Sequence, residues 1–109
     1  MSQYARGAAF ERAVRHHLED DGYDVIRSAG SKGAIDIVAM KPGELLFIQC
    51  KISGTVPPSE RAEILRVAGL VGAIPVVAWK QPRKARPLLD RMTGPGPRDR
   101  VAYLTDRVA

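Results

Sequence analysis

Residues 34–52 read AIDIVAMKPGELLFIQCKI and decide the fold. Two apolar, β-rich runs over residues 34–40 and 45–52 flank a turn at residues 41–44. This arrangement predicts a β-hairpin, because Pro and Gly adopt the backbone angles that tight turns require. Each run also carries polar residues that a simple apolar core would not contain. The hairpin therefore predicts a site as well as a fold.

The turn determines which side chains meet across the hairpin. A loop centred on Pro42-Gly43 places Asp36 opposite Gln49, and neighbours of this kind have Cβ atoms about 4.5–5.5 Å apart. Lys51 follows Gln49 by two residues and therefore shares its face. A slip of one residue would put Asp36 and Gln49 on opposite faces. The predicted register thus gathers three polar side chains on one face of a sheet.

Residues 3–20 predict the first helix, because apolar residues recur there at spacings of three and four. Its inward stripe is predicted to contain Tyr4, Ala8, Glu11, Val14 and Leu18. Glu11 is unusual in this stripe, since a buried charge is costly unless something compensates for it. A functional role for Glu11 is favoured over the alternatives, which are exposure to solvent or an ion pair with Arg15.

The remaining elements are predicted from local patterns. They are a strand over 23–27, a polar loop over 28–33, a helix over 60–71, a strand over 74–79, a short helix over 87–92 and an edge strand over 101–104. Ser59 is expected to cap the second helix. The inward residues of that helix are expected to be Ile64, Val67, Ala68 and Val71.

Composition narrows the class of protein. The chain has 109 residues, which suits one domain over 1–109. Its net charge of +5 fits a polyanionic partner, of which nucleic acid is the leading candidate, and fits a merely soluble basic surface equally well. No apolar run approaches the roughly 20 residues that span a bilayer, and no apolar signal-peptide core is present. A single cysteine, Cys50, fits a cytoplasmic location, whether nucleoid-associated or in a phage host. The sequence has no glycine-rich phosphate-binding loop, so no nucleotide cofactor is expected.

The polar residues predict a site for a divalent metal. Glu11 and Asp36 offer carboxylates, and Gln49 offers a neutral side-chain oxygen. The backbone carbonyl of Cys50 is a further candidate, and Mg²⁺ prefers hard oxygen ligands of these kinds. Lys51 would then orient an attacking water or stabilise charge on a scissile phosphate.

These positions resemble a known nuclease pattern. Asp36, a spacer and Gln49-Cys50-Lys51 are similar to the PD-(D/E)XK motif. A fuller ordered set resembles the archaeal-type Holliday junction resolvases: Arg6-Gly7, Glu11-Arg12, and residues 27–31, 35–39 and 74–76. The resemblance covers roughly residues 4–80. It assigns no role to the basic, Pro- and Gly-rich segment over 81–109.

The resemblance implies an α/β fold with a restriction-endonuclease-like core, in which helices flank a central mixed β-sheet. It implies a homodimer that cuts four-way DNA junctions with Mg²⁺, for which Mn²⁺ is expected to substitute. The implied catalytic positions are Glu11, Asp36, Gln49, Lys51 and Ser31, with Ser28 competing for the role of Ser31. The predicted DNA-binding residues are Arg6, Arg12, Arg27, Ser28, Lys32, Arg61, Lys80, Arg83 and Lys84.

Gln49 departs from the resembled pattern, which has Glu at this position. An amide keeps one ligating oxygen but loses a full charge, so weaker metal binding and a higher Mg²⁺ requirement are expected. An active nuclease is favoured because Glu11, Asp36 and Lys51 are all present. The alternatives are a catalytically weak or inactive junction-binding protein on the same fold, or another repair or restriction-like nuclease.

Overall fold

The computed structural model describes residues 2–28 and 33–105. Its elements are α1 Gln3–Asp20, β1 Asp24–Arg27, β2 Ile37–Lys41, β3 Glu44–Cys50, α2 Pro58–Val71, β4 Ile74–Lys80, β5 Pro87–Met92 and β6 Arg100–Ala102. The strands form one six-stranded sheet in chain order. Neighbouring strands are antiparallel except β3 and β4, which are parallel. That parallel pair requires a crossover, and α2 provides it.

The predicted hairpin and its register are confirmed. Lys41 pairs with Glu44 across the turn, and the ladder continues to Ile37 and Ile48. Asp36 lies one residue beyond the last ladder pair, and its backbone N–H donates to the carbonyl of Ile48 at 2.8 Å. The hairpin therefore places Asp36 next to the end of β3, where the site is predicted.

The helices cover opposite faces of the sheet. Phe10, Val14 and Leu18 of α1 pack in one cluster with alternate strand residues, namely Ile37, Ala39, Leu46, Ile48, Val76 and Ala78. On the other face, Ile64 of α2 belongs to a cluster with Val77, against which Phe47 packs. Successive strand residues point to opposite faces. Gln49 therefore lies on the α2 side of the sheet, in line with Phe47.

Several details of the helices differ from the predictions. The bounds of α1 are as predicted, but Tyr4 is 84 % exposed because Phe10, Val14 and Leu18 form the buried stripe. In α2 the N-cap is Pro57, with no side-chain capping bond, so the predicted Ser59 cap is wrong. Val71 is 60 % exposed at the end of α2 and does not face inward.

The predicted short helix over 87–92 is wrong, because this segment is strand β5. It pairs with β4 from Lys80 with Pro87 to Val76 with Arg91. Pro87 can start such a strand because it lacks only the N–H that an interior position would need. The last strand, Arg100–Ala102, confirms the predicted edge strand. Within the described residues, neither helix is long and apolar enough to cross a bilayer.

Candidate active site

Asp36 is the carboxylate held most tightly by the hairpin. Its Oδ2 accepts a hydrogen bond from the backbone N–H of Cys50 at 2.8 Å. Burial raises the pKa of Asp36, the Cys50 hydrogen bond opposes that rise, and the charge of Glu11 adds to it. The net rise in pKa means that the surrounding protein groups do not fully stabilise the negative charge of the Asp36 carboxylate. Such an environment favours a bound cation.

Glu11 reaches this region from the first helix. Its Oε1 pairs with Arg27 Nε at 2.7 Å, which brings α1 and β1 together. The Glu11 side chain is 20 % exposed and that of Arg27 is 53 % exposed. The alternative pair between Glu11 and Arg15 is not the contact that forms. Arg27 therefore lies at the rim of the site, where it remains partly open to solvent.

Gln49 is buried, with 2 % of its surface exposed. Its Nε2 donates to Glu60 Oε1 at 2.6 Å. Its Oε1 is buried and has no hydrogen-bond partner among the described residues. Lys51 Nζ lies 2.9 Å from the same oxygen of Glu60. The shared partner confirms that Gln49 and Lys51 lie on one face.

The donor set fits a hard divalent cation. In the described ranges, no three or more His, Cys, Asp or Glu side chains form a group that could hold a metal by themselves. A metal held by the two carboxylates would need further oxygen ligands, and the unpaired Oε1 of Gln49 is a candidate for one of them. Asp36, Glu11 and Gln49 are the side chains that would hold it.

Cys50 contributes through its backbone. Burial raises the pKa of its thiol, so the thiol stays protonated and is a poor ligand or nucleophile. Its N–H fixes Asp36. The predicted role of its carbonyl as a metal ligand stays a prediction.

The predicted DNA-contacting residues fall into three groups. Lys32 lies outside the described residues, as does Ser31, which was predicted to be catalytic. The exposed residues are Arg6, Arg12, Arg27, Ser28, Lys80, Arg83 and Lys84, and their DNA contacts stay predictions.

Arg61 is different because it is only 8 % exposed. Its guanidinium donates to the carbonyl of Pro95 at 2.6 Å and to that of Val56 at 2.7 Å. The phosphate contact predicted for Arg61 is therefore contradicted by its burial.

Glu60 is the site residue that the sequence analysis missed. It lies in the first turn of α2, and it contacts both Gln49 and Lys51. An acidic residue is common in the first turn of a helix because it interacts favourably with the helix dipole. An acidic residue at this position in the sequence therefore does not by itself indicate a functional site.

Comparison with known proteins places this geometry in a family. A model of the archaeal Holliday junction resolvase (Hjc) family matches residues 2–93. The chain belongs to the Hjc family. The match extends through β5, beyond residue 80, where the resemblance in sequence was expected to end.

Two Hjc proteins show how close the likeness is. The crossover junction endodeoxyribonuclease Hjc of Methanocaldococcus jannaschii is 35 % identical over 82 residues, which cover 72 % of this chain and 61 % of that protein. The structure of Hjc, a Holliday junction resolvase of Archaeoglobus fulgidus, superposes with a TM-score of 0.66 at 31 % identity, covering 77 % of this chain and 70 % of that one. The likeness confirms the predicted α/β fold with a restriction-endonuclease-like core.

Proposed function

We propose that this chain is a structure-selective endonuclease that cuts four-way DNA junctions by hydrolysing phosphodiester bonds. The two related proteins are named as a crossover junction endodeoxyribonuclease and as a Holliday junction resolvase. One observation carries the proposal to this chain. The hairpin brings Asp36, the free oxygen of Gln49 and the ammonium of Lys51 to the end of the same two strands.

The residues divide the chemistry as follows. Asp36, Glu11 and Gln49 Oε1 would hold a divalent cation, for which we propose Mg²⁺, with Mn²⁺ able to replace it. When bound, the cation supplies Lewis-acid polarisation and offsets the charge that develops on the scissile phosphate. Lys51 presents its ammonium beside this position and stabilises the same charge. The N–H of Cys50 keeps the carboxylate of Asp36 fixed throughout.

DNA binding is assigned to the exposed cations around this site. Arg27 lies at its rim, and Lys80, Arg83 and Lys84 are exposed at and after the end of β4. Contacts of this type provide affinity and salt dependence without reading sequence. That behaviour suits a protein that recognises the shape of a branched substrate.

We further propose a homodimer, because paired cuts across a junction require two sites at a fixed separation. Apolar surface is available for an interface between copies. Leu70 is 71 % exposed near the end of α2, and Val101 is 55 % exposed on the edge strand β6. A small domain gains stability by burying such surface between subunits.

The test is cleavage of a synthetic four-way junction and of a linear duplex of the same sequence, across a Mg²⁺ titration. We expect paired nicks near the branch point, with little cleavage of the duplex. Asp36→Asn is the control, since it keeps the shape of the side chain while removing its charge. Equal cleavage of junction and duplex would contradict the proposed selectivity.

A second candidate is a protein that binds junctions without cutting them. Two observations favour it: Gln49 stands where the resembled motif has Glu, and the described acidic side chains do not form a three-ligand group. Tight junction binding without cleavage at any Mg²⁺ or Mn²⁺ concentration would select this candidate over the nuclease.

A further inference from the structure

Glu60 lies where the catalytic hairpin meets the second helix. Its Oε1 accepts a hydrogen bond from Gln49 Nε2 at 2.6 Å. The same oxygen is 2.9 Å from Lys51 Nζ. One carboxylate from α2 therefore contacts both side chains at the altered end of the nuclease motif.

This contact determines how the amide of Gln49 is oriented. An ionised carboxylate can only accept hydrogen bonds, so the amide nitrogen must face Glu60 and Oε1 must face away from it. Oε1 is then left buried without a partner among the described residues, although buried acceptors are nearly always paired. Because Gln49 is 2 % exposed, bulk water does not satisfy this oxygen. A cation bound beside this oxygen would satisfy the lone pairs that no described residue uses.

Glu60 also supplies the charge that Gln49 lacks. Its carboxylate pairs with Lys51, as an anionic residue at position 49 would otherwise do. Its charge extends to Asp36 as well, where it is one of the influences that raise the pKa of that group. The negative charge thus comes from the helix, while the oxygen suited to a metal comes from the strand.

We propose that Gln49 and Glu60 together perform the task of a single strand glutamate. Gln49 provides the metal-ligating oxygen. Glu60 is a positioning residue that orients this oxygen, holds the ammonium of Lys51 and restores the negative charge of the site. This inference rests on the proposed nuclease function and explains how the site operates with an amide at position 49.

The competing explanation is an ordinary ion pair on a helix surface, which contributes little. The same helix contains such a pair, between Glu63 and Arg66, with side chains 43 % and 61 % exposed. Glu60 differs because it also accepts from a buried amide. Glu63 is therefore a matched control for Glu60.

The first experiment compares Glu60→Gln with Glu63→Gln in the full chain. Mn²⁺ binding is measured by the loss of the electron paramagnetic resonance signal of free Mn²⁺, and junction cleavage is measured in parallel. Mutation of a residue that hydrogen-bonds to a metal ligand typically lowers metal affinity or activity by about 10- to 100-fold. Glu60→Gln should therefore weaken Mn²⁺ binding by at least about tenfold. Junction affinity without metal should stay the same, and Glu63→Gln should match the wild type.

The second experiment exchanges the two side chains in the variant Gln49→Glu/Glu60→Gln. This variant keeps the composition and net charge of the chain but moves the carboxylate back to the strand. The amide introduced on the helix can then donate to the carboxylate introduced on the strand, which reverses the original hydrogen bond. We expect Mn²⁺ affinity and cleavage to recover relative to Glu60→Gln alone. A merely structural role for Glu60 would not produce such recovery.

The outcomes separate this inference from the proposed function. Wild-type Mn²⁺ affinity in Glu60→Gln, or a double variant that binds no better than Glu60→Gln, would overturn the inference even if junctions are cleaved. If the wild type binds Mn²⁺ but cuts no junction, the nuclease function fails. The division of roles between Gln49 and Glu60 would still be upheld by the Mn²⁺ titrations.

Discussion

The variant Arg61→Ala distinguishes a structural role of this buried arginine from a DNA-binding role. The two bonds from Arg61 to the carbonyls of Pro95 and Val56 connect α2 to the segment after β5 and to the loop before the helix. Hydrogen bonds to charged groups contribute about 1.5–3 kcal/mol each. Arg61→Ala removes both bonds and leaves the carbonyls without this donor, so we expect the free energy of unfolding to fall by at least about 3 kcal/mol, the lower limit for two such bonds.

That loss is large for a domain of this size. Natural domains have unfolding free energies of only about 5–15 kcal/mol. A loss of about 3 kcal/mol should lower Tm by about 12–24 °C, at roughly 4–8 °C per kcal/mol for a small domain. Urea titration followed by circular dichroism measures the free energy, and calorimetry measures Tm. Arg66→Ala is the control, since its exposed pair with Glu63 should contribute nothing measurable.

Junction binding completes the test. The slope of log K against log salt should be the same for Arg61→Ala as for the wild type, measured below the Tm of the variant. Lys84→Ala, which removes an exposed cation, should reduce that slope by about 1 if Lys84 contacts a phosphate. An Arg61→Ala protein of wild-type stability with a reduced salt slope would refute the structural role and restore the phosphate contact.

The raised pKa of Asp36 and the hydrogen bonds of Glu44 support two further predictions. Because burial raises the pKa of Asp36 in the folded protein, its ionised form lowers stability above that pKa. Asp36→Asn should therefore raise Tm at neutral pH in EDTA, and it should also abolish cleavage. The gain in Tm should shrink as the pH falls through the raised pKa of Asp36. A lower Tm for Asp36→Asn at neutral pH would contradict this prediction. Tyr103→Phe removes one of two hydroxyls that donate to Glu44 Oε2, at 2.5 Å from Tyr23 and 2.6 Å from Tyr103. Urea titration should show a loss of about 1.5 kcal/mol with unchanged cleavage, and no loss would mean that water replaces the bond.

The hairpin was predictable from sequence because its determinants are local. A Pro-Gly turn between two apolar runs determines the register, and the register determines the positions of Asp36, Gln49 and Lys51. The first helix was predictable from its periodicity for the same reason. The fold class and much of the site therefore follow from short stretches of the chain.

The features that were not predicted depend on contacts between distant segments. Residues 87–92 carry no strong local signal, and pairing with β4 makes them a strand. Glu60 and Arg61 are adjacent charged residues with different contacts: Glu60 contacts Gln49 and Lys51, whereas Arg61 is buried against backbone carbonyls. Which residue faces which surroundings depends on how α2 is rotated against the sheet. One signal was available: Arg61 precedes Ile64 and Ala68 by three and seven residues, so it continues the buried stripe of α2.

The agreement between strand order and chain order has a consequence for folding. Four of the five strand pairings join antiparallel neighbours, and only β3 and β4 need a crossover. Short loops lose little entropy on closure, and the two-residue turn of the hairpin is the shortest connection between strands. Hairpins of this kind form in about 1–10 μs. We therefore expect Asp36 and Lys51 to approach each other early in folding, whereas Glu11 and Glu60 reach the site only when α1 and α2 pack on the sheet.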